Sequence, residues 1–317
     1  MSNKCLYCYE KLETESLHKF HSSCSNSFFG TKQPPLLPFQ LNEMKVLAKN
    51  IVDRSIAVPG VQPKLSLSII QDALQKNNKG RLTIVGALGG QYILKPPSEH
   101  YPQMPENEHL TMRIAEAFGI STVSSSLIHL QSGELAYITK RIDRGATGEK
   151  IHMLDMFQIV EAVDKYKSSL ERIGKAIYLY SDNTLLDQLS FFELIVFCFL
   201  TGNNDMHLKN FSMIRIENQW KLAPAYDLLN VAIANTNDKE ELALTLNGKK
   251  NKLWRKDFEQ FGISLGLNKK QIDGVFNRFI ENKSTALNWI KKSFLSENAK
   301  DDYQNLMLDR YAILSAN

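Results

Sequence analysis

Three stretches in the first third of the chain alternate apolar and polar residues: LSLSI (Leu65 to Ile69), RLTIV (Arg81 to Val85) and QYILK (Gln91 to Lys95). A period of two sends one set of side chains to one face of an extended backbone, so each predicts a strand. Gly89-Gly90 supplies a turn before the third, and SSSLIHL and ELAYITKRI flank Gln131-Ser132-Gly133 as a further antiparallel pair. The spacing changes elsewhere to three and four. Leu41, Met44, Leu47, Ala48 and Ile51 predict a helix over 41–52. Leu110, Ile114, Ala117 and Phe118 predict another over 105–118, begun at Pro105 and stopped at Gly119.

From about 152 onward the helical period dominates, in HMLDMFQIVEAV, SSLERIGKAIYLY, SFFELIVFCFL, KDFEQFGISLGL and a long amphipathic tail. Ser190 and Glu193 have the spacing of a capping box for the third of these. SMIRI and QWKLA interrupt the helices as a strand pair. A β-rich part followed by a helical one predicts an α+β protein of two lobes, with a cleft between them. The Pro-rich run Gln33 to Pro38 reads as a linker, so the expected divisions are 1–32, 33–142 and 143–317.

Composition narrows the classes. The 43% hydrophobic and 23% charged fractions are those of an ordinary globular chain, and a net charge of +4 over 317 residues is too small to imply nucleic-acid binding. The longest apolar run, Leu194 to Leu200, is far short of the roughly 20 residues of a membrane span and reads as a buried helix. MSNKCLYCYEKLE lacks the pattern of a secretory leader, so a cytoplasmic location is expected. Cysteines there serve as thiols or metal ligands. Cys5, Cys8, His21 and Cys24 form two pairs at knuckle spacing, which predicts about one structural zinc ion, with His18 an alternative to His21. The plainer reading is a thiol pair with an incidental His and Cys. Cys198 lies inside an apolar helix and reads as core.

The densest chemistry is TGNNDMHLKNFSMI, Thr201 to Ile214, where Asp205, His207, Lys209 and Asn210 fall within six residues. Asp and Asn form turns through their own side chains, which suffices for either alone. An Asp followed five residues on by an Asn is also the spacing of a kinase catalytic loop, which sets a proton acceptor beside an amide oxygen for magnesium. Asp227 follows the SMIRI and QWKLA pair as a second metal-binding aspartate would, although it also suits a helix N-cap. Lys95 ends a strand, where it is either an exposed lysine or a phosphate ligand. Glu108, in the next helix, is either its ion-pair partner or a first-turn acid favoured by the helix dipole. His207 is expected to orient the loop by bonding backbone carbonyls.

Six ordered blocks, VPGVQPKLSL, YILKPP, ENEHLTMRIAEAFGI, YITKRIDR, GNNDMHLKNFSMI and LAPAYDLL, together resemble the HipA family of bacterial serine/threonine kinases, over about 45–317. The resemblance implies a protein-kinase-like fold and transfer of the ATP γ-phosphoryl group to serine. It implies that Asp205 is the base, that Asn210 and Asp227 bind magnesium, and that Lys95, with Glu108, binds the ATP phosphates. Gly60, Val61, Gln62 and Lys64 would form the glycine loop, and Thr139, Lys140 and Arg141 the segment facing adenine. His207 and Lys209 belong to the motif, Lys209 as a cation near the transferring phosphate.

The resemblance is greatest to the shorter HipT type, in which the β-rich subdomain that precedes the glycine loop in longer members is supplied by a separate protein, HipS, beside the DNA-binding HipB. The expected partners are therefore both of these, and the expected target is an aminoacyl-tRNA synthetase, whose modification inhibits translation. Relatives autophosphorylate serines just before the loop glycine. Here Ala57 and Pro59 carry no hydroxyl, leaving Ser55 as the upstream candidate. Two rivals compete with this reading. One is a metallophosphoesterase suggested by Gly202-Asn203-Asn204-Asp205, which would need further His and Asp blocks for its two metals. The other is a catalytically silent binding or repressor component, opposed by the acid, amide and lysine side chains retained at all four kinase positions. No G-x-G-x-x-G or P-loop sequence is present.

Overall fold

The computed structural model describes residues 3–13, 19–44, 46, 64–71, 80–85, 89–145 and 147–316. Ser55, Ala57, Pro59, Gly60, Val61, Gln62 and His18 lie outside them, as does most of the helix expected over 41–52, of which 41–44 and 46 are helical. The chain divides into two compact units. The first comprises Met1–His109, Val123–Gly148 and Lys292–Phe294, and the second Leu110–Thr122, Glu149–Lys291 and Leu295–Asn317.

In the first unit a short helix, Ser22–Phe29, ends at Gly30 in the left-handed conformation. Five strands follow: β1 (Leu65–Gln71), β2 (Gly80–Ile84), β3 (Tyr92–Lys95), β4 (Ser125–His129) and β5 (Leu135–Lys140). They form one antiparallel sheet of order β2-β1-β3-β5-β4. Leu65, Leu67, Tyr92 and Leu94 are buried and Ile93 is less so, but Ser66 between the two leucines is buried too, its hydroxyl donating to Gly89 O. The N-terminal segment packs onto this sheet through Phe28 and Phe29, whose rings lie 5.8 and 6.0 Å from Tyr92, and through Leu127 N–H, which donates to Leu6 O at 3.3 Å.

The second unit is built around the helix Thr184–Leu200, in which Phe191, Phe192, Phe197 and Phe199 are fully buried among Phe118, Phe211, Phe258, Phe261 and Phe279. A helix apolar on every side belongs inside, which is why LIVFCFL is core. A three-stranded antiparallel sheet, β6 (Met153–Asp155), β7 (Ser212–Ile216) and β8 (Gln219–Leu222), lies in this unit, in that order. Further helices span Leu170–Tyr180, Arg255–Ser264, Lys269–Glu281, Lys283–Lys292 and Glu297–Ser315. The helix Met104–Ala117 begins in the first unit and ends in the second. Among the described residues no helix is long and apolar enough to cross a membrane.

Two local expectations are corrected. HMLDMFQIVEAV is not one helix: Met153–Asp155 pairs with β7, Met153 opposite Ile214, and only Met156–Ile159 is helical. Asp155 ends the strand and starts the turn, its carboxylate accepting from Gln158 N–H at 2.9 Å. Ser190 and Glu193 form no capping box, because the helix already begins at Thr184; Glu193 instead lies 2.7 Å from the Arg278 guanidinium.

Candidate active site

In the first unit Lys95 closes β3, where Tyr137 of β5 is its neighbour, and Pro96 follows with no N–H to extend the ladder. Its Nζ lies 2.6 Å from Glu108 Oε1, with side chains 4% and 1% exposed, and 5.3 Å from the centre of the Tyr137 ring. A buried ion pair is a poor source of net stability, since desolvating both charges costs about as much as their attraction returns. Such a pair between a strand end and a helix start is more economically explained by chemistry than by folding.

Thr139 is buried on β5, donating through Oγ1 to Ser124 O at 3.0 Å, and the amides of Lys140 and Arg141 donate to Ser124 O and Gln91 O. The Arg141 guanidinium forks onto Asp143 at 2.9 and 2.7 Å and also reaches Ser66 Oγ and Gly89 O, pinning the turn before β3. Burial raises the Asp143 pKa, but Arg141 and Arg144 together hold its carboxyl below the usual range. Lys140 sits over the Phe28 ring, and burial lowers its pKa. Lys64 is exposed just before β1.

In the second unit the catalytic-loop candidates leave the core helix through Thr201, whose hydroxyl donates back to Phe197 O. Gly202 follows at φ +68°, and a Cβ there would meet Asn230 Oδ1 at 2.8 Å, so both conformation and space require glycine. Its carbonyl accepts from Val231 and Ala232 N–H, both at 3.1 Å, which ties this loop to the segment just after Asp227. Asp205 O accepts from His207 N–H at 2.8 Å and from Asn210 Nδ2 at 3.0 Å, folding the six residues back on themselves. That bond uses the Asn210 amide nitrogen, and its Oδ1 is an atom that could hold a cation.

The β7–β8 hairpin brings the segment of Tyr226 back to that of Lys209 and Ser212. Asn210 lies just before β7 and Asp227 soon after β8, and Tyr226 bridges the two ends, its hydroxyl 2.6 Å from Ser212 Oγ and donating to Lys209 O at 3.1 Å. Asp227 is held at φ +56°, a strained conformation for a residue with a Cβ. Its charge reaches the catalytic loop. Burial depresses the His207 pKa, Lys165 adds to that, and the carboxylates of Asp205 and Asp227 both oppose it. The hard oxygen donors of Asn210 and Asp227 suit magnesium, which favours carboxylate, carbonyl and water ligands. Asp205, His207, Asn210 and Asp227 thus gather in one unit, whereas Lys95 and Glu108 form their pair in the other.

A family model described as the HipA-like C-terminal domain matches residues 56–287. The chain belongs to the HipA family. It is 29% identical to a provisionally named kinase of Haemophilus influenzae, covering 96% of this chain and 94% of that one. It is 25% identical to the serine/threonine-protein kinase toxin HipA of Shewanella oneidensis, over 67% of this chain but only 52% of the relative. Its fold is similar to that of HipA of Shewanella oneidensis in a complex with HipB and operator DNA, with a TM-score of 0.67, 21% identity, and coverage of 82% of this chain and 67% of that one. One of these relatives is named a serine/threonine kinase toxin and the other provisionally a kinase, and the mixed α/β fold is the HipA-type fold.

The candidate site holds three side chains that sequence reasoning missed. Tyr166 donates through its hydroxyl to Asp205 Oδ1, and burial, with that bond, pushes its pKa well up. Lys165 Nζ donates to His207 Nε2 at 2.9 Å, so the imidazole does not serve the backbone carbonyls as expected. The Tyr226 bridge was likewise unforeseen. Lys165 and Tyr166 lie in no motif, and only their polarity offered any signal, whereas Tyr226 sits in LAPAYDLL directly before Asp227, where that adjacency was the available signal. Lys209 is exposed, its ammonium 4.8 Å from the centre of the Phe157 ring.

A second cluster lies in the first unit. Cys5, Cys8, His21 and Cys24 offer ligand atoms that all fall within 4.8 Å of one another. His21 Nδ1 faces the sulfurs, 3.4 Å from Cys8 Sγ and 3.8 Å from Cys24 Sγ, while Nε2 lies 3.1 Å from Lys11 O. A proton held on Nε2 by that carbonyl leaves the Nδ1 lone pair for a metal.

Proposed function

We propose that the chain is an ATP- and magnesium-dependent serine/threonine protein kinase, the toxin of a bacterial toxin–antitoxin module. One observation supports the reading: Asn210 and Asp227 flank the β7–β8 hairpin, whose two ends Tyr226 joins, and Asn210 Nδ2 donates to Asp205 O, in a family with a relative named as a serine/threonine kinase toxin. In this reading Asp205 accepts the proton of a target hydroxyl as its oxygen forms a bond to the γ-phosphorus, the bond to the β–γ bridging oxygen breaks, and ADP leaves. Asn210 and Asp227 hold magnesium, which would offset phosphate charge. Lys95, kept in place by Glu108, binds the ATP phosphates, with Gly60, Val61, Gln62 and Lys64 as the glycine loop. The adenine-facing role of Thr139, Lys140 and Arg141 rests on the family resemblance alone.

The partner reading follows the relatives. The Shewanella HipA structure, solved with HipB and operator DNA, supports a HipB-like antitoxin here. A HipS-like protein as third component, Ser55 autophosphorylation and an aminoacyl-tRNA synthetase as target belong to the same proposal, as does a structural zinc ion in the cysteine cluster. Labelled ATP added to lysate with wild type or Asp205→Asn tests it. A labelled protein is expected with wild type alone, and identical lanes would refute the kinase reading.

A further inference from the structure

We propose that Cys5, Cys8, His21 and Cys24 bind one zinc ion, and that the knuckle this ion closes positions the Lys95–Glu108 pair through Tyr9 and His109. Three thiols and one imidazole are the donor set of a closed structural zinc site, with no position left for substrate. A zinc–sulfur bond of about 2.3 Å sets sulfurs about 3.8 Å apart. The four donors lie close to that spacing, within 4.8 Å of one another.

The backbone is already bent for a metal. Tyr9 N–H donates to Cys5 O at 3.0 Å and Cys5 N–H to Glu10 O at 2.9 Å, with Tyr9 in the left-handed conformation at φ +64°. Leu6, Tyr9, Leu12 and Phe28 are buried and anchor the segment, and a metal on the four side chains would add the cross-link that fixes the turn itself.

From that turn a buried route runs inward. Tyr9 follows Cys8 directly and is 1% exposed. Its hydroxyl lies 2.8 Å from His109 Nδ1, and the two rings meet edge to face at 5.3 Å. His109 is the next residue after Glu108, and its ring lies 6.5 Å from that of Tyr137, over which Lys95 Nζ sits. A second anchor acts on the strand: Phe28 and Phe29 pack on Tyr92, three residues before Lys95. The knuckle therefore braces both members of the ion pair, one through the helix start and one through β3. A pair this deeply buried depends on close geometry, so loosening either brace weakens it.

The inference rests on the kinase reading only for its catalytic readout. The test uses full-length protein prepared in zinc-containing medium without chelator: wild type, Cys8→Ser/Cys24→Ser and Tyr9→Phe. Elemental analysis should give about one zinc per chain in wild type and Tyr9→Phe and almost none in the double variant. Amide hydrogen exchange should quicken over 104–109 in both variants. The KM for ATP should rise about fivefold in Tyr9→Phe, from loss of one buried hydrogen bond, with kcat little changed. Zinc-free wild type would overturn the metal site. Unaltered exchange in zinc-replete Tyr9→Phe would overturn the positioning role. Zinc and the exchange change in a protein that never uses ATP would uphold this inference and refute the kinase reading.

Discussion

The Tyr166 hydroxyl donates a 2.7 Å hydrogen bond to Asp205 Oδ1. The proposed base is thus already engaged by a phenol, in the role a target hydroxyl must take. Tyr166→Phe removes that competitor and leaves the ring against His207, 5.0 Å between centres. The variant should show a KM for the protein substrate lowered severalfold with little change in thermal stability. A loss of activity would instead make Tyr166 part of the machinery.

Lys95 and Glu108 separate stability from function. Lys95→Met leaves a carboxylate 1% exposed without its ammonium, and should lower stability by about 3–5 kcal/mol in urea unfolding. Adding Glu108→Gln removes that buried charge and should restore most of that loss. Neither protein should transfer phosphate.

His207 supplies a pH dependence. Burial is the main cause of its lowered pKa, so the folded protein resists protonation more than the unfolded chain does. Its contribution is therefore complete above the unfolded value of about 6.5 and is lost as pH falls from there toward the lower folded value. Melting temperature should fall more steeply below pH ~6.5 in wild type than in His207→Gln, whose amide oxygen still accepts from Lys165.

The strain at Asp227 gives an unusual expectation. At φ +56° a side chain costs about 1 kcal/mol that glycine does not incur, offset by glycine's greater freedom when unfolded. Asp227→Gly should stay within about 1 kcal/mol of wild type in stability and lose magnesium-dependent activity altogether. Calorimetric melting beside a phosphotransfer assay checks both halves.

Much of this architecture is readable in the chain. LSLSI, RLTIV and QYILK became strands because their alternation matches a sheet with one face packed, and the helix after Pro105 needed only its own periodicity. The cysteine pairs were visible because ligand spacing within each pair is local. What escaped was set by distant contacts. Met153–Asp155 became a strand because β7, some sixty residues later, offered an edge, and long-range pairing outweighed the local helical period. Ser190 could not cap a helix already begun at Thr184, where Asn183 holds the N-cap position and Asp187 is the first-turn acid. Tyr166 meets Asp205 across a gap of 39 residues, outside any recurring spacing. The glycine-loop expectation on Gly60, Val61 and Gln62 falls outside the described residues.

The most direct measurement is transfer of the labelled γ-phosphoryl group of ATP by purified wild type and Asp205→Asn, with nucleotide binding followed in parallel. Asp205→Asn should bind ATP about as tightly as wild type and lose transfer by a factor of a thousand or more, on the order expected when a catalytic base is removed. Equal labelling by the two proteins would contradict the account.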